Sequence, residues 1–574
     1  MLKLSAFLLS LISAVSFTAN AQTIITNTTI VDVEKQKLIP NATVLIKGNK
    51  IESINTKTTA PPTGATIIDG NGKFLIPGMT DAHIHFFQSG GLYTRPDAID
   101  LRKQRSYEEE IAFSKSNMSD VMKRNLLNGI TSVIDVGATY SLLQRRKEFT
   151  ADSLSPSVYM TGPLLTTYEP PIYKGLGNDR PFSLVQTEEE ARKMVQEQLP
   201  YQPDFIKIWY IVNGGNKEEI ARKHLPLIKA VINEAHKNNL KVAVHATERI
   251  TAQLSVENGA DFLVHSVEDE VISNDFVKLL KEKKTILCPT LVVYDNYGKV
   301  FGQQYRFSTS EFTTSNPMVL GSLFDLKHLN YPIIQQYKNY IQNNTAQNKK
   351  QDSICLVNLK KLSDAGVRIA AGTDAGNIGT LHGGSYLTEL QKMKEAGLSN
   401  WKVLEAATIS PAYFLSKEKL TGSITAGKIA DMVLLDANPV EDLNNLAKIS
   451  IVVNKGAVLY PDSIIRETPL ALVQRQLNAY NARDLEAFLE PYAEDVELYT
   501  FPNKLESKGK DAMRKAYSFF ARVPGLHCEI LERIVQGNTI IDKESVSGFG
   551  DKPVQATAIY QIEGNKIKKV YFIQ

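Results

Sequence analysis

Short apolar runs alternate with amphipathic stretches along most of the chain, and this pattern predicts a repeated strand–helix unit. Between residues 79 and 419, eight runs have the length and β-branched content of strands. Stretches such as EEEARKMVQEQL and LPLIKAVINEAHKNN have apolar residues three and four apart, as amphipathic helices do. Eight such units in roughly 340 residues predict an α/β fold of the TIM-type (β/α)8 barrel class. The strand candidates are MTDAHIH, TSVIDV, SVYMTG, FIKIWY, KVAVHA, DFLVHS, TILCPTLVV and RIAAGTD.

Two β-rich segments flank this repeat, and we expect them to pair with each other. Residues 22–78 contain short strand-type runs separated by Asn-Thr, Ile-Pro-Asn and Gly-Asn-Lys turns. Residues 420–464 repeat the pattern in KIADMVLLDANP and AKISIVVNKGAVLY. Together the two segments predict one small composite β-sandwich beside the barrel, which itself spans residues 79–419.

The connection between the seventh and eighth strand candidates is unusually long. Residues 295–352 are rich in Tyr, Asn and Gln, and a connection of this length is expected to be partly helical. Since it follows the end of the seventh strand candidate, the connection lies on the face formed by the carboxyl ends of the strands, with the candidate metal ligands. Two interpretations therefore remain open, a lid or pocket wall over that face and a peripheral decoration.

Residues 465–574 have a different pattern and predict a separate C-terminal module. Helix-type segments such as SKGKDAMRKAYSFFARV come first. Long runs that alternate apolar and polar residues follow, including VQATAIYQI and KIKKVYFIQ, as expected of antiparallel strands. This order predicts an α+β module.

The first 21 residues have the features of a secretory signal. Lys3 precedes the apolar run LSAFLLSLISAVSF, and the small-residue pattern at Ala19–Ala21 predicts cleavage after Ala21. The apolar run is shorter than the ~20 residues that a membrane span needs. We therefore expect residues 1–21 to be a signal peptide and the mature protein to be exported, periplasmic or secreted, with no membrane attachment after cleavage.

Composition excludes several partner and fold classes. The 574 residues carry a net charge of +3, which favours neither nucleic acid nor an anionic membrane surface as a partner. Hydrophobic residues make up 43% and charged residues 22%, as in globular proteins. The three cysteines, Cys288, Cys355 and Cys528, are odd in number and far apart, so a disulfide framework is not expected.

Six residues that can bind or bridge metal ions stand at or near the ends of the strand candidates. Imidazole, carboxylate and a modifiable amine are groups that hold borderline metals such as zinc. Since side chains alternate along a strand, the two histidines of HIH share one face and can reach one ion. The six residues are His83, His85, Lys207, His245, His265 and Asp374.

Each of these residues also has a structural interpretation. A single buried histidine is more often a core residue than a ligand, but four of the nine histidines fall at these strand ends. Asp374 could be a helix N-cap. Lys207 lies in an apolar strand, where an unpaired ammonium would be costly. Neutralisation of that amine, or its conversion to a metal-binding carbamate, would remove the cost.

These motifs resemble the amidohydrolase superfamily, and within it the imidazolonepropionase-like and prolidase-like members, over about residues 23–462. The C-terminal block is similar in pattern to the cone-shaped fold of nuclear transport factor 2 and the steroid isomerases. The segments that carry the first resemblance are LIPGMTDAHIHF, IKIW, VHA, GADFLVHS, AAGTDAG with LHGGSYLTEL, and AATISPAYFLSKEKLTGSITAGKIADMVLLDANP.

The resemblance implies a role for each candidate ligand. His83, His85 and Asp374 match the ligands of a first metal ion, and His245 and His265 match those of a second. Lys207 falls where many members have an N6-carboxylated lysine that bridges two metal ions. The resemblance therefore implies two divalent ions here, with zinc as the expected metal. Imidazolonepropionases use one metal and lack this lysine, so Lys207 favours the binuclear, prolidase-like arrangement.

The implied activity is hydrolysis of a carbon–nitrogen bond by a metal-bound hydroxide, with Asp374 as the general base and then the general acid. A dipeptide-like or N-acyl amino acid substrate is favoured. A cyclic amide remains an alternative, as does a non-catalytic binding protein built on the barrel.

Substrate contacts and assembly are less well specified by the sequence. Arg249, His382 and Tyr210 follow or lie near strand ends and are candidates for contacting a small-molecule substrate. The C-terminal module is expected to drive homo-oligomerisation, because an antiparallel sheet has a second face to bury. Its alternative role is a ligand cone lined by residues such as His527.

Overall fold

The computed structural model describes residues 22–56 and 62–573. The predicted signal peptide, residues 1–21, lies outside the described residues. Within the described ranges, no helix combines the length and apolar character that crossing a bilayer requires. Cys288, Cys355 and Cys528 are all free thiols, as the cysteine count predicts.

Strands dominate the two ends of the chain and helices dominate its middle. The strands are β1 (Gln22–Asp32), β2 (Lys37–Lys47), β3 (Lys50–Asn55), β4 (Thr66–Asp69), β5 (Phe74–Pro77), β6 (Met79–Ile84), β7 (Ile130–Asp135), β8 (Ser157–Met160), β9 (Leu164–Thr166), β10 (Phe182–Leu184), β11 (Ile206–Trp209), β12 (Val242–His245), β13 (Phe262–Val264), β14 (Ile286–Cys288), β15 (Met432–Leu435), β16 (Ile449–Asn454), β17 (Ala457–Leu459), β18 (Tyr492–Thr500), β19 (Lys504–Lys508), β20 (His527–Gln536), β21 (Thr539–Ser547), β22 (Val554–Glu563) and β23 (Lys566–Ile573). The α-helices are α1 (Tyr107–Ser116), α2 (Met118–Leu127), α3 (Tyr140–Thr150), α4 (Glu188–Gln198), α5 (Lys217–Lys237), α6 (Arg249–Glu257), α7 (Asn274–Lys283), α8 (Leu291–Phe301), α9 (Thr309–Thr314), α10 (Pro317–Ser322), α11 (Pro332–Asn343), α12 (Thr345–Asp364), α13 (Tyr386–Glu395), α14 (Asn400–Ala407), α15 (Ile409–Phe414), α16 (Pro461–Ile464), α17 (Pro469–Ala482), α18 (Leu485–Leu489) and α19 (Lys510–Ala516).

The two flanking β-rich segments form one eight-stranded sheet. Its order is β17-β16-β15-β5-β1-β2-β3, with β4 beside β1. Antiparallel pairing of β5 with β15, with Leu75 opposite Leu434, joins the early segment to the late one. The strands form one continuous hydrogen-bonded ladder, and buried side chains from its two halves, among them Val44 and Met432, lie in one core. The two ends of the ladder approach each other where Lys50 bridges Ile429. The predicted pairing of the two segments is therefore present, and their arrangement as a sandwich stays a prediction.

The strand–helix region contains parallel sheets of three and six strands. The three-stranded sheet is β6-β7-β8, and the six-stranded sheet is β10-β9-β11-β12-β13-β14. Seven of the eight predicted runs contain a strand, although β14 ends at Cys288 and the TLVV part of its run enters α8. Strands β9 and β10 were not among the candidates.

The eighth run, RIAAGTD, is not a regular strand, but it connects the two parallel sheets. The Ala370 N–H donates to the Leu287 carbonyl at 2.8 Å, and the Ala82 N–H donates to the Ala371 carbonyl at 2.9 Å. The segment departs from extended geometry at Asp374, where φ is +62°. Asp374 is thereby placed directly beside the end of β6.

The predicted long connection is mostly helical and joins the C-terminal module to the rest of the chain. It contains α9, α10 and α11 and parts of α8 and α12. Helix α17 packs against α10, and the Asn478 side chain donates to the Pro317 carbonyl at 2.7 Å. Buried Arg475 donates to the Phe312 carbonyl. This connection is therefore part of a shared core and is not a peripheral decoration.

The C-terminal module has the predicted α+β composition. Six strands form one sheet in the order β19-β18-β23-β22-β21-β20, and helices α17, α18 and α19 cover one of its faces. Aromatic side chains fill the space between sheet and helices, among them Phe488, Tyr492, Tyr517 and Phe520.

Candidate active site

Three buried side chains converge at the end of β6. The Nε2 atoms of His83 and His85 lie 3.3 Å apart. The same two nitrogens lie 3.1 Å and 3.2 Å from Oδ1 of Asp374. β6 places both histidines on one side, and the turn at Asp374 brings the carboxylate to them. The predicted first ligand group is therefore assembled in the structure.

The geometry of this trio fits a metal ion better than a hydrogen-bonded cluster. Asp374 Oδ1 is buried and has no partner with hydrogen-bond geometry, although two nitrogens are near it. A tetrahedral zinc ion with ligand bonds of about 2.0–2.1 Å has ligand-to-ligand edges of about 3.3 Å. The observed separations of 3.1–3.3 Å match such a face. The donor set of two imidazoles and a carboxylate also suits zinc.

Lys207, His245 and His265 line the same cavity as this trio. The rings of His245 and His265 are 4.3 Å apart between centroids, and the His265 ring is 5.0 Å from that of His83. His265 Nδ1 contacts Thr290 Oγ1 at 2.6 Å, which leaves its Nε2 free. The structure thus brings all six predicted ligand candidates to one place.

Burial sets the protonation state of the imidazoles. It lowers the pKa of His83 to about 3 and holds the pKa values of His245 and His265 well below the usual range. These rings are neutral at pH 7, so their nitrogen lone pairs can bind a cation. Burial alone would raise the pKa of Asp374, but His83 and His85 hold it well below its usual value.

Lys207 is 1% exposed and makes no ion pair within the described residues. Burial lowers the pKa of its amine to about 7, against an opposing effect of Asp374. Burial of a charged amine without a counter-charge costs free energy, as predicted for Lys207 from its apolar strand.

Two buried carboxylates outside the six predicted candidates, Asp81 and Asp135, hold the ligands in position. Asp81 accepts from the Thr373 hydroxyl at 2.6 Å and from the Thr373 N–H at 3.0 Å. These two hydrogen bonds connect β6, which contains His83, to the segment that contains Asp374. Asp135 accepts from the Gly137 N–H at 3.1 Å, and the Gly137 carbonyl contacts His85 Nδ1 at 3.1 Å. Such contacts fix ring orientation at metal sites.

The six candidates open into a cavity of ≈ 390 Å³. One wall is apolar and aromatic, with Trp209 5.9 Å from the His245 ring and Phe182 4.8 Å from Trp209. Residues of α8 and α12 form another wall, which confirms the pocket-wall interpretation of the long connection. They include Tyr294, Tyr297, Gln351, Asp352, Cys355 and Leu356.

The three predicted substrate-contacting residues do not line this cavity. Tyr210 is buried behind it and donates its hydroxyl to the Ala221 carbonyl at 2.5 Å. Arg249 starts α6 and is engaged by Glu270 and Gln253 outside the cavity. Nε2 of His382 faces the Gln88 carbonyl at 3.1 Å, and its ring stacks on Phe86. Each of the three side chains is directed away from the cavity by its own local partner.

Other polar residues also line the cavity, among them Arg95, Tyr297 and Asn377. Arg95 forms a two-pronged ion pair with Asp97 at 2.7 and 2.6 Å and donates to Asn377 Oδ1 at 2.6 Å. The Tyr297 hydroxyl donates to the same oxygen at 2.9 Å. Asn377 follows Asp374 by three positions, so its closeness to a predicted ligand could have indicated that it lines the cavity. Arg95 lies in a loop, and no strand or helix pattern in the sequence indicates its position.

Two family models match the chain. A model of the amidohydrolase family matches residues 74–459, and a model of the SnoaL-like domain matches residues 473–570. An ochratoxinase from Aspergillus niger is 24% identical over 404 residues, which cover 64% of this chain and 71% of the relative. An imidazolonepropionase from Idiomarina loihiensis is 34% identical over 96 residues, which cover 17% of this chain and 23% of the relative.

A solved structure also has the same fold. A prolidase in complex with N-methylphosphonate-L-proline superposes with a TM-score of 0.59 and 22% identity, over 77% of this chain and 100% of that one. At this identity the similarity establishes the α/β fold of the matched region. The SnoaL-like match agrees with the nuclear transport factor 2-like pattern of the C-terminal module.

Proposed function

The chain belongs to the amidohydrolase family, and we propose that it is a metal-dependent hydrolase that cleaves an amide bond in a dipeptide-like or N-acyl amino acid substrate. The observation that carries this proposal is the convergence of His83, His85 and Asp374 at the cavity. Their three ligand atoms are 3.1–3.3 Å apart and are buried. Export is proposed from the sequence of residues 1–21 alone.

We also propose that the parallel strands close into a TIM-type barrel. The eighth segment supports closure on one side, since it hydrogen-bonds to both β14 and β6. On the other side, the Asp204 N–H donates to the Met160 carbonyl at 2.8 Å, between β8 and the start of β11. Closure would place all six ligand candidates at the carboxyl ends of the strands, where barrel enzymes have their active sites.

The proposed cofactor is a pair of divalent metal ions, with zinc as the expected metal. His83, His85 and Asp374 would hold one ion, and His245 and His265 the other, with an N6-carboxylated Lys207 between them. When bound, such ions acidify water and polarise a carbonyl group. Carboxylation would replace the positive charge of Lys207 by a negative charge, which a bound metal ion would neutralise. The free-energy cost of burying an unpaired ammonium would then be avoided.

The residues of the chain supply positioning and proton transfer. Asp374 would accept a proton from the attacking water and return it to the departing nitrogen. Its Oδ1 faces the cavity beside His83 and His85, and its backbone N–H donates to the His83 carbonyl at 2.7 Å, which fixes the loop. The aromatic wall of Trp209 and Phe182 would exclude water from the bond that is cleaved.

Hydrolysis of a cyclic amide is the second candidate reaction. The short match to an imidazolonepropionase favours it, whereas Lys207 favours a prolidase-like site with two ions. A role as a binding protein without catalysis has no such support, because the complete ligand set is retained.

A substrate panel tests the proposal. Purified protein reconstituted with zinc should hydrolyse at least one member of a set of dipeptides and N-acyl amino acids, and should release a free amino acid detectable by amine derivatisation. The same set should be inert after removal of metal with a chelator. If the protein hydrolysed only cyclic imides or lactams, the proposed reaction would be hydrolysis of a cyclic amide and not of a linear one. No hydrolysis of any carbon–nitrogen bond by metal-loaded protein would refute both.

Self-association through the C-terminal module remains our proposal for assembly. Leu531, Ile534 and Val535 lie on the edge strand β20 and are 47%, 52% and 53% exposed. An exposed apolar edge strand is a surface that a second copy can cover. We expect Ile534→Glu with Val535→Glu to convert an oligomer to monomers in light scattering, with unchanged turnover.

The matched control for this experiment is Ile67→Glu. Ile67 is 57% exposed but lies in β4, far from the module in sequence and in a different sheet. The control should keep the wild-type mass. An unchanged mass in the double variant, or a monomeric wild-type protein, would remove the assembly role.

A further inference from the structure

Part of the cavity lining carries negative charge that is not paired with a nearby lysine or arginine. Glu268 follows β13 and Asp352 lies on α12, and both line the cavity. Within the described residues, neither carboxylate has a lysine or arginine within 4.0 Å. The lysines that act on them at longer range pair with other carboxylates. Lys217 pairs with Glu248 at 2.9 Å, and Lys299 and Lys392 pair with Asp295 at 3.1 and 3.2 Å.

This arrangement is unfavourable in the protein alone. Burial, and then the nearby Glu248, raise the pKa of Glu268 to about 7, and Asp269 and Asp352 add to the effect. Burial also raises the pKa of Asp352, with further contributions from Asp295 and other carboxylates. Two half-buried carboxylates that repel each other lose free energy, and a cation placed between them would recover it.

A second observation indicates that the cavity is built to accept hydrogen bonds. Gln88 lines the same cavity, is 3% exposed, and its Oε1 has no hydrogen-bond partner. A buried amide oxygen without a donor is costly unless a ligand supplies one. Arg95, which also faces the cavity, cannot serve a ligand carboxylate well because Asp97 already neutralises it. The cavity lining therefore includes a buried acceptor, Gln88 Oε1, that a donor on a ligand could satisfy.

We propose that the substrate carries a positively charged ammonium or guanidinium group that binds between Glu268 and Asp352, an inference that rests on the amide hydrolysis proposed above. Trp209 and Phe182, the aromatic wall, contact the uncharged part of the substrate. Glu268 and Asp352, called the acidic wall, favour binding of substrates that carry the positive charge. Two sources can supply that charge, a free amino terminus and a basic side chain. Glu268 and Asp352 are then residues that determine specificity and take no part in the chemical step.

Four matched substrates separate these sources. They are Ala-Lys, Ala-norleucine and the N-acetyl derivative of each, because norleucine replaces the side-chain ammonium by a methyl group and acetylation removes the terminal charge. For the wild-type enzyme, we expect kcat/KM to favour the charged member of at least one pair by about tenfold, the size of one charge-assisted hydrogen bond. A preference within the Lys/norleucine pair identifies the side chain, and a preference within the free/acetyl pair identifies the amino terminus.

Two variants assign the preference to the acidic wall. Glu268→Gln and Asp352→Asn should each remove most of it by slowing the charged substrate, with the uncharged substrates within about twofold of wild type. The control is Glu282→Gln on the outer surface of α7, which should keep the full preference. A wild-type enzyme without preference in either pair, or variants that slow all four substrates equally, would overturn the inference.

A binding experiment keeps this result separate from the proposed reaction. If none of the four amides is hydrolysed, calorimetry of the metal-loaded protein with lysinamide and norleucinamide applies the same criterion. Tighter binding of lysinamide that is lost in Glu268→Gln or Asp352→Asn would support the acidic wall while amide hydrolysis fails. Equal binding of both compounds would overturn the cation site whatever reaction the enzyme performs.

Discussion

Asp374→Asn is expected to abolish nearly all turnover while the fold is retained. The substitution is nearly isosteric, but an amide cannot accept a proton from water at neutral pH. Loss of a general acid–base group costs about 10²–10⁴-fold in kcat, and the weakened ligand adds to the loss. Steady-state kinetics on a substrate from the panel, with metal content measured on the same sample, gives the value.

The control for this variant is Asp364→Asn. Asp364 ends α12 and pairs with Lys360 on the surface, so the same chemical change occurs outside the cavity. Circular dichroism should give wild-type spectra for both variants. If metal-loaded Asp374→Asn kept more than about a tenth of the wild-type kcat, proton transfer would have to be assigned to another group.

Lys207→Met is expected to separate metal binding from stability. Methionine fills a similar volume without a charge, so the apo variant should be at least as resistant to heat as the apo wild type. The metal content should fall from two ions per chain to one or none. Turnover should fall by about 10²-fold or more, since even outer contacts of metal ligands are worth 10–100-fold.

Isotope labelling tests the modification itself. Wild-type protein prepared with ¹³C-bicarbonate should show a carbamate carbon signal that Lys207→Met lacks. Lys278→Met, at an exposed position of α7, serves as the control and should keep both the signal and two ions. Two ions per chain in Lys207→Met would show that the lysine is not the bridge.

Five of the six candidate ligands could be found from the sequence because each lies in or directly after a short apolar run that becomes a strand. In HIH the period of two places both imidazoles on one side, and the structure has their Nε2 atoms 3.3 Å apart. Seven strands were found in the same way. The information in these cases is local, so no knowledge of the rest of the fold is needed.

The errors have a common cause in contacts between distant segments. RIAAGTD has a strand pattern, but Thr373 binds Asp81, 292 positions earlier, and the chain turns at Asp374 instead of extending the ladder. The run at Leu291 has β-branched residues and nevertheless begins α8, which packs against α13. Local propensity cannot anticipate such tertiary contacts.

Substrate contacts were missed for the same reason. Arg249 follows a strand end, which predicts a substrate contact, yet Glu270 and Gln253 hold its side chain outside the cavity. The residues that do line the cavity, such as Arg95 and Asp352, come from loops and helices that no strand pattern marks. Their position depends on how the long connection folds back over the strands.

The pairing of β5 with β15 has a consequence for biosynthesis. Leu434 follows its partner Leu75 by 359 positions, so the first sheet stays open on one edge while most of the chain is made. At 5–20 residues per second, the nascent chain would spend on the order of 20–70 s with the apolar edge of β5 exposed. A factor that shields unpaired strands during this interval should raise the yield of folded protein. A circular permutant that joins the two halves of the sheet in sequence should depend on such a factor less.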